Sequence, residues 1–278
     1  MTIIIADTTC GLPHIMLERR GITLIPQVVI FGEQSFHDDD EMDMAVFLGK
    51  LKASRELPKT AAPEPALYFP VFERAAKKGE TVIVVAPTSK ASGTVRSAQT
   101  AARDFPRLDV RVIDTLTVSC NLGTLVLLAD DLAKQGSSAD EIVSCLERMI
   151  PRGRIYFYVD TLEFLARGGR IGGAKAMLGE LLQVKPILQV KDGQVEPFEQ
   201  VRTRKRALNR LVEVVTEQLK SDSDAHLCVL QADAVQEAHA LAENLMTRLS
   251  IPEPPIYELP PAIVVHAGPG TMGVGFFV

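Results

Sequence analysis

Residues 81–94 read TVIVVAPTSKASGT, and this stretch decides the fold class. Its first six residues form a short apolar run rich in β-branched side chains, which predicts a buried strand from Thr81 to Ala86. The polar loop that follows leads into a pattern of apolar residues at helical spacing from Val95 to Phe105. A strand, a polar turn and a helix in this order are typical of a βαβ unit.

The same alternation continues on both sides of this segment. Further strands are predicted at Thr2 to Ala6, Val110 to Ile113 and Ile155 to Val159. Residues from Cys120 to Ala133 are apolar on most of a helix's circumference, which predicts a buried helix. The alternation lapses between Gln27 and Tyr68, where an acidic stretch precedes a short predicted helix from Met42 to Leu51. We therefore predict an α/β domain with a parallel sheet over residues 1–160, carrying an inserted lobe at about residues 27–68.

The character of the sequence changes after Thr161. A glycine-rich turn at residues 167–173 precedes a predicted helix that runs to Leu182, and Asp192-Gly193 between two apolar runs predicts a hairpin. A helical stripe follows from Ala207 to Leu219. Strand-like runs return at Leu227 to Leu230, Ala262 to Val265 and Val274 to Val278. We therefore predict an α+β domain with an antiparallel sheet over residues 161–278.

The composition argues against several classes of function. Thirty basic against thirty-five acidic side chains give a net charge of −5, 5% of residues are aromatic, and Trp is absent. Such a chain has neither the positive field nor the stacking surfaces typical of nucleic-acid-binding proteins. The four cysteines lie far apart with no CxxC pair, so we expect reduced core thiols and no metal site. The N-terminus lacks the basic region of a signal peptide and no apolar run approaches a membrane span, so we expect a soluble, cytoplasmic protein.

The segment from Ser89 to Thr94 is the strongest candidate for ligand binding. It follows the carboxyl end of a predicted parallel strand, where open α/β sheets bind ligands. Ser92 is a good helix N-cap, and free backbone N–H groups beside it suit a carboxylate or a phosphate. Taken alone, however, the segment favours a plain helix cap without a ligand.

Other polar segments also follow predicted strands. Asp7-Thr8-Thr9 and Asp114-Thr115 could bring their side chains to one sheet edge, although such pairs more often cap helices or close Asx turns. The acidic stretch from His37 to Asp43 lacks the glycine and the spacing of an EF-hand, which favours a solvated loop before a helix. The glycines of residues 167–173 would permit either a tight turn or a phosphate nest.

Two basic positions complete the set of candidates. His266 follows the apolar run from Ala262 and precedes a Gly-Pro-Gly turn, which would hold the imidazole at a strand end. A lone histidine is usually structural. Arg202 lies between a predicted strand and a predicted helix, in a basic cluster with Arg204, Lys205 and Arg206. For the last three residues a solvated helix start is a sufficient explanation.

Taken together and in order, these segments resemble the DegV family over nearly the whole chain. The resemblance is carried by the following segments: Asp7-Thr8-Thr9, Thr60-Ala61-Ala62-Pro63, Ser89 through Thr94, Asp114-Thr115, Gly168-Gly169-Arg170-Ile171, Leu182-Gln183-Val184-Lys185-Pro186-Ile187, Val201-Arg202 and His266-Ala267-Gly268-Pro269-Gly270. Studied members of that family bind long-chain fatty acids and serve bacterial fatty acid kinase as its acyl-carrying subunit. The resemblance implies an α/β domain and an α+β domain with the lipid between and beneath them.

The resemblance also implies a set of site residues. The fatty acid carboxylate would be held by Thr60, Ser92, Gly93, Arg202 and His266, with Asp7, Thr8, Ser89, Thr94 and Gly268 in support. The fatty acid is then the only ligand, no other cofactor is needed, and a separate fatty acid kinase subunit is the expected partner. Since the sequence carries no Walker A motif, dinucleotide fingerprint or kinase signature, we expect a carrier without an enzymatic activity of its own.

The sequence departs from the family pattern at two places. The usual second acid of the opening motif is lost at Gly11, and Ala61 and Ala62 replace a polar Ser-Gln pair beside Thr60. Two other functions stay open at this stage. One is an autonomous enzyme that acts on a small phosphorylated substrate, with Ser89 to Thr94 as the phosphate cradle and His266 as general acid or base. The other is a regulatory interaction protein in which bound lipid is structural filler.

Overall fold

A computed structural model of the protein describes residues 1–39, 41–178, 184–219 and 225–278. The strands are β1 (Thr2–Asp7), β2 (Thr23–Ile25), β3 (Val28–Phe31), β4 (Gln34–His37), β5 (Lys59–Ala61), β6 (Thr81–Ala86), β7 (Val110–Asp114), β8 (Gly153–Tyr158), β9 (Lys185–Lys191), β10 (Gln194–Val201), β11 (Cys228–Gln231), β12 (Ile256–Glu258) and β13 (Met272–Phe277). The α-helices are α1 (His14–Arg20), α2 (Met44–Ala53), α3 (Phe69–Lys78), α4 (Thr94–Arg103), α5 (Ser119–Lys134), α6 (Ala139–Met149), α7 (Glu163–Arg167), α8 (Arg204–Gln218), α9 (Val235–Leu249) and α10 (Pro261–Ala267).

The first sheet is parallel, with the strand order β2-β1-β6-β7. Alternate residues of β6 face opposite sides, as the two-residue period of a strand requires. Val82 and Val84 pack in the apolar cluster on the side of α3 and α4, whereas Ile83 and Val85 pack in the cluster on the side of α5 and α6. This burial on both faces explains the nearly continuous apolar sequence of the strand and confirms the predicted α/β architecture.

Residues 27–68, the predicted lobe, contain three strands that do not join this sheet. Strands β4, β3 and β5 form a small antiparallel sheet, in which Val29 of β3 pairs with Thr60 of β5. Helix α2 begins after Asp43, whose side chain accepts a hydrogen bond from the backbone of Val46 at 2.7 Å. The small sheet therefore fixes the position of Thr60, which the family resemblance implies as a ligand of the carboxylate.

The second large sheet has six strands in the order β10-β9-β8-β13-β11-β12. Its pairs are antiparallel except for β11 and β12. The predicted Asp192-Gly193 hairpin is confirmed, since Lys191 pairs with Gln194 across the turn. One face of this sheet packs against α8 and α9, and the other face packs on an apolar cluster that includes α10.

The structure corrects the sheet assignment of one strand. The strand expected at Ile155 to Val159 as part of the parallel sheet is β8, which instead pairs with β9 and β13 in the six-stranded sheet. Sequence proximity to the βαβ units suggested the wrong neighbours, because strand pairing is decided by long-range packing. The domain boundary near Thr161 stays a prediction, although β8 before it already belongs to the second sheet.

A second correction concerns the run from Ala262 to Val265, which was predicted as a strand. These residues lie within α10. Pro260 and Pro261 precede them, and a proline at the first helical position is pre-organised for a helix. A short apolar run that is buried nearly all round does not reveal its period, so β-branched residues alone gave the wrong prediction.

The segment after Arg170 differs in part from its expected form. Gly172–Met177 is a 3₁₀ helix rather than the start of a regular α-helix. The rest of the helix predicted to Leu182, together with Leu182-Gln183 of the family motif, lies outside the described residues, as does Asp40. Among the described helices, none combines the length and the apolar character that a membrane crossing would require.

Candidate functional site

A cavity lies between the carboxyl ends of the parallel strands and the inner face of the six-stranded sheet. Its space open to the centres of water molecules is about 140 Å³, roughly ten times what one water needs. Well-packed interiors rarely leave voids of this size. Much of the lining is apolar: Val118, Ile155, Phe157, Leu165, Val190, Val195, Leu230, Leu259, Ala262, Ile263 and Ala267. The cavity is therefore suited to an apolar ligand or to the apolar part of one.

Polar side chains from separate elements also reach this cavity. Thr60 comes from β5, Ser92 from the loop before α4, Arg170 from the glycine-rich turn and His266 from the last turn of α10. The hydroxyl of Thr60 lies 2.8 Å from Nε2 of His266, although the two residues are 206 positions apart. The structure thus brings together four of the five predicted carboxylate-binding residues, since Gly93 lines the cavity as well, and adds Arg170 to them.

Ser92 is held differently from its predicted role as N-cap. The N-cap of α4 is Gly93, and the hydroxyl of Ser92 accepts a hydrogen bond from the backbone N–H of Thr94 at 3.3 Å. The same hydroxyl lies 2.9 Å from the Thr94 hydroxyl. Gly93 also lines the cavity, and a Cβ there would lie 3.0 Å from the Cβ of Ala62, so the loop approaches β5 closely.

Behind Ser92 a buried polar network fixes the loop. The carboxyl group of Asp7 accepts hydrogen bonds from the Thr94 hydroxyl at 2.8 Å and from Nε2 of Gln27 at 2.5 Å, and the Thr9 backbone donates to it at 3.0 Å. The hydroxyl of Thr8 accepts a bond from the Gln27 backbone at 3.1 Å. Burial raises the pKa of Asp7, while these hydrogen bonds oppose that shift. Because the Thr94 hydroxyl donates its hydrogen bond to Asp7, the Ser92 hydroxyl is left to donate toward Thr94 or toward a ligand.

His266 is buried beside a positive charge. Burial and, to a smaller extent, the nearby Arg170 guanidinium together lower its pKa to about 4. The imidazole is therefore neutral at pH 7. Its Nδ1 is buried and has no hydrogen-bond partner among the described residues. The glycine at position 168 makes room for this ring, since a Cβ there would lie 3.0 Å from Cε1 of His266.

Arg170 is the functional residue that the sequence reasoning missed. Its Nε donates to the carbonyl of Ala91 at 3.0 Å, and its Nη1 donates to the carbonyl of Gly168 at 2.7 Å. These bonds link the glycine-rich turn to the loop before α4. Within the described part of the chain no carboxylate lies within ion-pair distance of Arg170, and burial lowers its pKa. A half-buried guanidinium without an anionic partner favours an anion in the cavity.

Arg202 occupies a different place from the one expected. It is exposed at the end of β10, just before the N-cap Thr203 of α8, and it does not line the cavity. Its assignment to the carboxylate stays a prediction, and Arg170 is the arginine at the cavity. Arg202 follows a predicted strand and Arg170 follows two glycines of the predicted turn, and the family resemblance implied only Arg202 as a carboxylate ligand.

The remaining predicted positions fall into supporting places. Ser89 is exposed, and its backbone N–H donates to Asp114 at 3.2 Å, which matches the Asx-type role expected of Asp114. A carboxylate at this N–H disfavours a phosphate at the same point. Gly268 has a φ of +82°, and a Cβ there would lie 3.1 Å from Cε2 of Phe164, so glycine is needed for the turn after His266.

The acidic loop does not join the cavity. The ligand atoms of His37, Asp39 and Glu41 all lie within 4.8 Å of one another, a spacing that a cation could bridge. Glu41 already accepts a hydrogen bond from the His37 backbone at 2.9 Å, and Asp39 accepts one from the Glu41 backbone at 3.1 Å. These bonds are those of an acidic turn that precedes a helix.

Comparisons with known proteins agree over the full length of the chain. The model of the family described as "Uncharacterised protein, DegV family" matches residues 1–278. A DegV domain-containing protein of Streptomyces coelicolor is 35% identical, over 98% of this chain and 96% of the relative. A DegV family protein of Thermus thermophilus, whose solved structure is described as fatty acid binding, is 32% identical with a TM-score of 0.90, over 99% of both chains.

A third comparison gives the same fold. A stearic acid-binding protein from Eubacterium ventriosum is 25% identical with a TM-score of 0.91, over 100% of this chain and 98% of that one. The parallel sheet and the six-stranded sheet are thus the fold of a known group of proteins. The full-length family match and the 35% identical relative establish that this chain belongs to the DegV family.

Proposed function

We propose that this protein binds a long-chain fatty acid, with the hydrocarbon tail in the cavity and the carboxylate against Thr60, Ser92, Arg170 and His266. One observation carries the proposal: an apolar cavity is lined at the same time by hydroxyls and by a guanidinium that has no anionic partner among the described residues. The structures of relatives that are described as fatty acid binding support it.

Two opposed solvation problems decide how such a ligand would bind. A tail of about 15 methylenes gains roughly 0.8 kcal/mol for each methylene buried, or about 12 kcal/mol before the costs of immobilisation. The carboxylate opposes burial, because an unpaired charge in the interior costs several kcal/mol. The tail therefore supplies the affinity, and the polar residues fix the orientation of the acid.

Several polar side chains together would compensate the charge of the carboxylate. Arg170 supplies the positive charge, and the hydroxyls of Thr60 and Ser92 can donate, since hydroxyl protons rotate toward the best acceptor. His266 is neutral in the protein without ligand, because burial and Arg170 lower its pKa to about 4. A bound carboxylate would favour the charged imidazole and raise that pKa.

Binding to stearic acid tests this arrangement directly. We expect delipidated protein to bind stearate, and Thr60→Val and Ser92→Ala to weaken the affinity by about tenfold each, since hydrogen bonds to a charged group contribute roughly 1.5–3 kcal/mol. Ser89→Ala is the matched control, because Ser89 lies in the same loop but is exposed and outside the cavity. Unchanged affinity in both site variants would contradict the assignment.

We further propose that the bound acid is presented to a separate fatty acid kinase subunit, as the family resemblance implies. A carboxylate oxygen would form a bond to the γ-phosphorus of ATP while the bond from that phosphorus to ADP breaks. The acyl phosphate would then stay on this chain, which would act as a carrier without an activity of its own. Arg202 and the exposed basic residues at the start of α8 offer a surface for that partner.

This second proposal has its own test. With a bacterial fatty acid kinase catalytic subunit and ATP, we expect Arg202→Ala to retain stearate but to lose acyl phosphate formation. Arg107→Ala is the control, because it removes an exposed charge from the loop between α4 and β7, outside the proposed partner surface. Full phosphorylation with Arg202→Ala would refute the role of that residue, while stearate binding would remain as a separate result.

A further inference from the structure

A second cavity adjoins the first at one side chain. It lies between the turn after β1, the segment that leads into α2 and the end of β12, and its space open to the centres of water molecules is about 550 Å³, against about 140 Å³ for the first cavity. Its apolar side chains include Leu12, Met42 and Met44. Among the described residues, only Leu259 lines both cavities. Leu259 is therefore the point at which the two cavities meet.

The surrounding structure holds Leu259 in place. The residue is 2% exposed, and its backbone N–H donates to the carbonyl of Gln231 at 2.7 Å. It belongs to the apolar cluster that also contains Leu230, which lines the first cavity, and Met42, which lines the second. Close-packed side chains of this kind cannot move aside without losing contacts. The Leu259 side chain therefore has a fixed place between residues of the two cavities.

Helix α10 shows which end of the first cavity Leu259 occupies. The cavity is lined by one face of this helix and of the residues before it: Leu259, Ala262, Ile263 and His266. Their spacing of three, four and seven residues is that of side chains on a single helix face. Leu259 stands just before the N-cap of α10, whereas His266 lies in its last turn, so the two are roughly 10 Å apart at the rise of a helix. The first cavity therefore extends along α10 from the proposed carboxylate site to Leu259.

We infer that Leu259 sets the longest acyl chain that the cavity accepts. The inference rests on the proposed fatty acid binding and adds a chain-length limit to it. A tail that follows α10 from His266 meets the Leu259 side chain, and methylenes beyond that point gain no burial without displacing it. Each buried methylene raises the affinity about fourfold, so the affinity grows with chain length up to Leu259 and stops growing there. A smaller side chain at this position opens the way to the apolar side chains of the second cavity.

Binding of the even-numbered saturated acids from laurate to behenate, measured with delipidated protein, tests the inference. For the wild type we expect the affinity to increase up to one acid of the series and to gain nothing at the next. In Leu259→Ala the dissociation constant of that next acid, divided by that of the preferred acid, falls about fifteenfold, as two further buried methylenes predict. Leu259→Val removes less volume and leaves a smaller cavity, so it gives a smaller fall in the same direction at a lower cost in stability.

Leu165→Ala is the matched control, since Leu165 is 3% exposed and lines the first cavity but not the second. Its carbonyl accepts a hydrogen bond from the Arg170 backbone at 3.0 Å, so it lies near the proposed carboxylate site. We expect this variant to weaken the binding of all the acids without changing the ratio. A ratio that both Leu259 variants leave unchanged, or one that falls equally in Leu165→Ala, overturns the inference. Stearate bound by the wild type in that case leaves the proposed function intact, whereas a wild-type protein that binds none of the acids refutes both.

Discussion

A single methyl group added at position 168 tests the packing of the site without removing a polar atom. Gly168 has φ and ψ of −74° and −9°, so alanine fits the backbone there. The new Cβ would overlap Nδ1 of His266 and lie 3.0 Å from its Cε1. Overpacking of this kind costs about 1–3 kcal/mol. We therefore expect Gly168→Ala to lower the free energy of unfolding by about that amount and to move the imidazole away from Thr60.

A double-mutant cycle isolates this contact. In the His266→Ala background the overlap with the imidazole is gone, so Gly168→Ala should cost about 1–3 kcal/mol less than in the wild type, and this difference is the coupling between the two positions. The contact of the new Cβ with the carbonyl of Phe164 is common to both backgrounds and cancels. Gly49→Ala, in a helix and with no atom near its Cβ, is the control and should not destabilise. Urea unfolding that shows equal losses in both backgrounds would refute the placement of His266.

Three further predictions concern stability. Burial raises the pKa of Asp38 from 3.8 to about 7. The stability that the protonated Asp38 contributes is therefore full at low pH and is lost as the pH rises through about 7. Asp38→Asn should flatten this part of the pH profile of urea unfolding. Gly193 has a φ of +79°, and an added Cβ would overlap the Thr88 hydroxyl. Gly193→Ala should therefore destabilise the protein by about 1 kcal/mol or more and lower the melting temperature by several degrees. An unchanged melting temperature would contradict the positive φ. Asp7→Asn places an amide donor against the groups that donate hydrogen bonds to the carboxylate. The free energy of unfolding, measured by chemical denaturation, should therefore fall by about 2–4 kcal/mol. A decrease below about 0.5 kcal/mol would argue against the network.

Local sequence patterns were sufficient for the parallel sheet. The apolar run from Thr81 to Ala86 and the strands at Thr2 and Val110 were predicted to within a residue or two. The first of these is buried on both faces, and such a strand leaves a short continuous apolar signature. The hairpin at Asp192-Gly193 was equally clear, since its turn chemistry is local. Features that depend on neighbouring residues in the chain could therefore be read in advance.

The features that failed depend on distant contacts. The run from Ala262 to Val265 forms a helix, and β8 in the middle of the chain pairs with β13 near its C-terminal end. Neither feature leaves a periodic signal in the sequence. Arg170 gains its role from the carbonyl of Ala91, 79 residues away. Charge and hydrogen-bond balance within a cavity are properties of the folded chain, so the sequence could not supply them.

The central claim is that the cavity between the two sheets holds one fatty acid by its tail and its carboxylate. Native mass spectrometry of protein purified from bacteria, then of the delipidated protein after addition of stearate, tests it most directly. We expect one acid per chain in both preparations, and about a hundredfold weaker uptake of the added acid when Thr60→Val and Ser92→Ala are combined. A protein that carries no fatty acid when purified and takes up none when stearate is supplied would contradict the account.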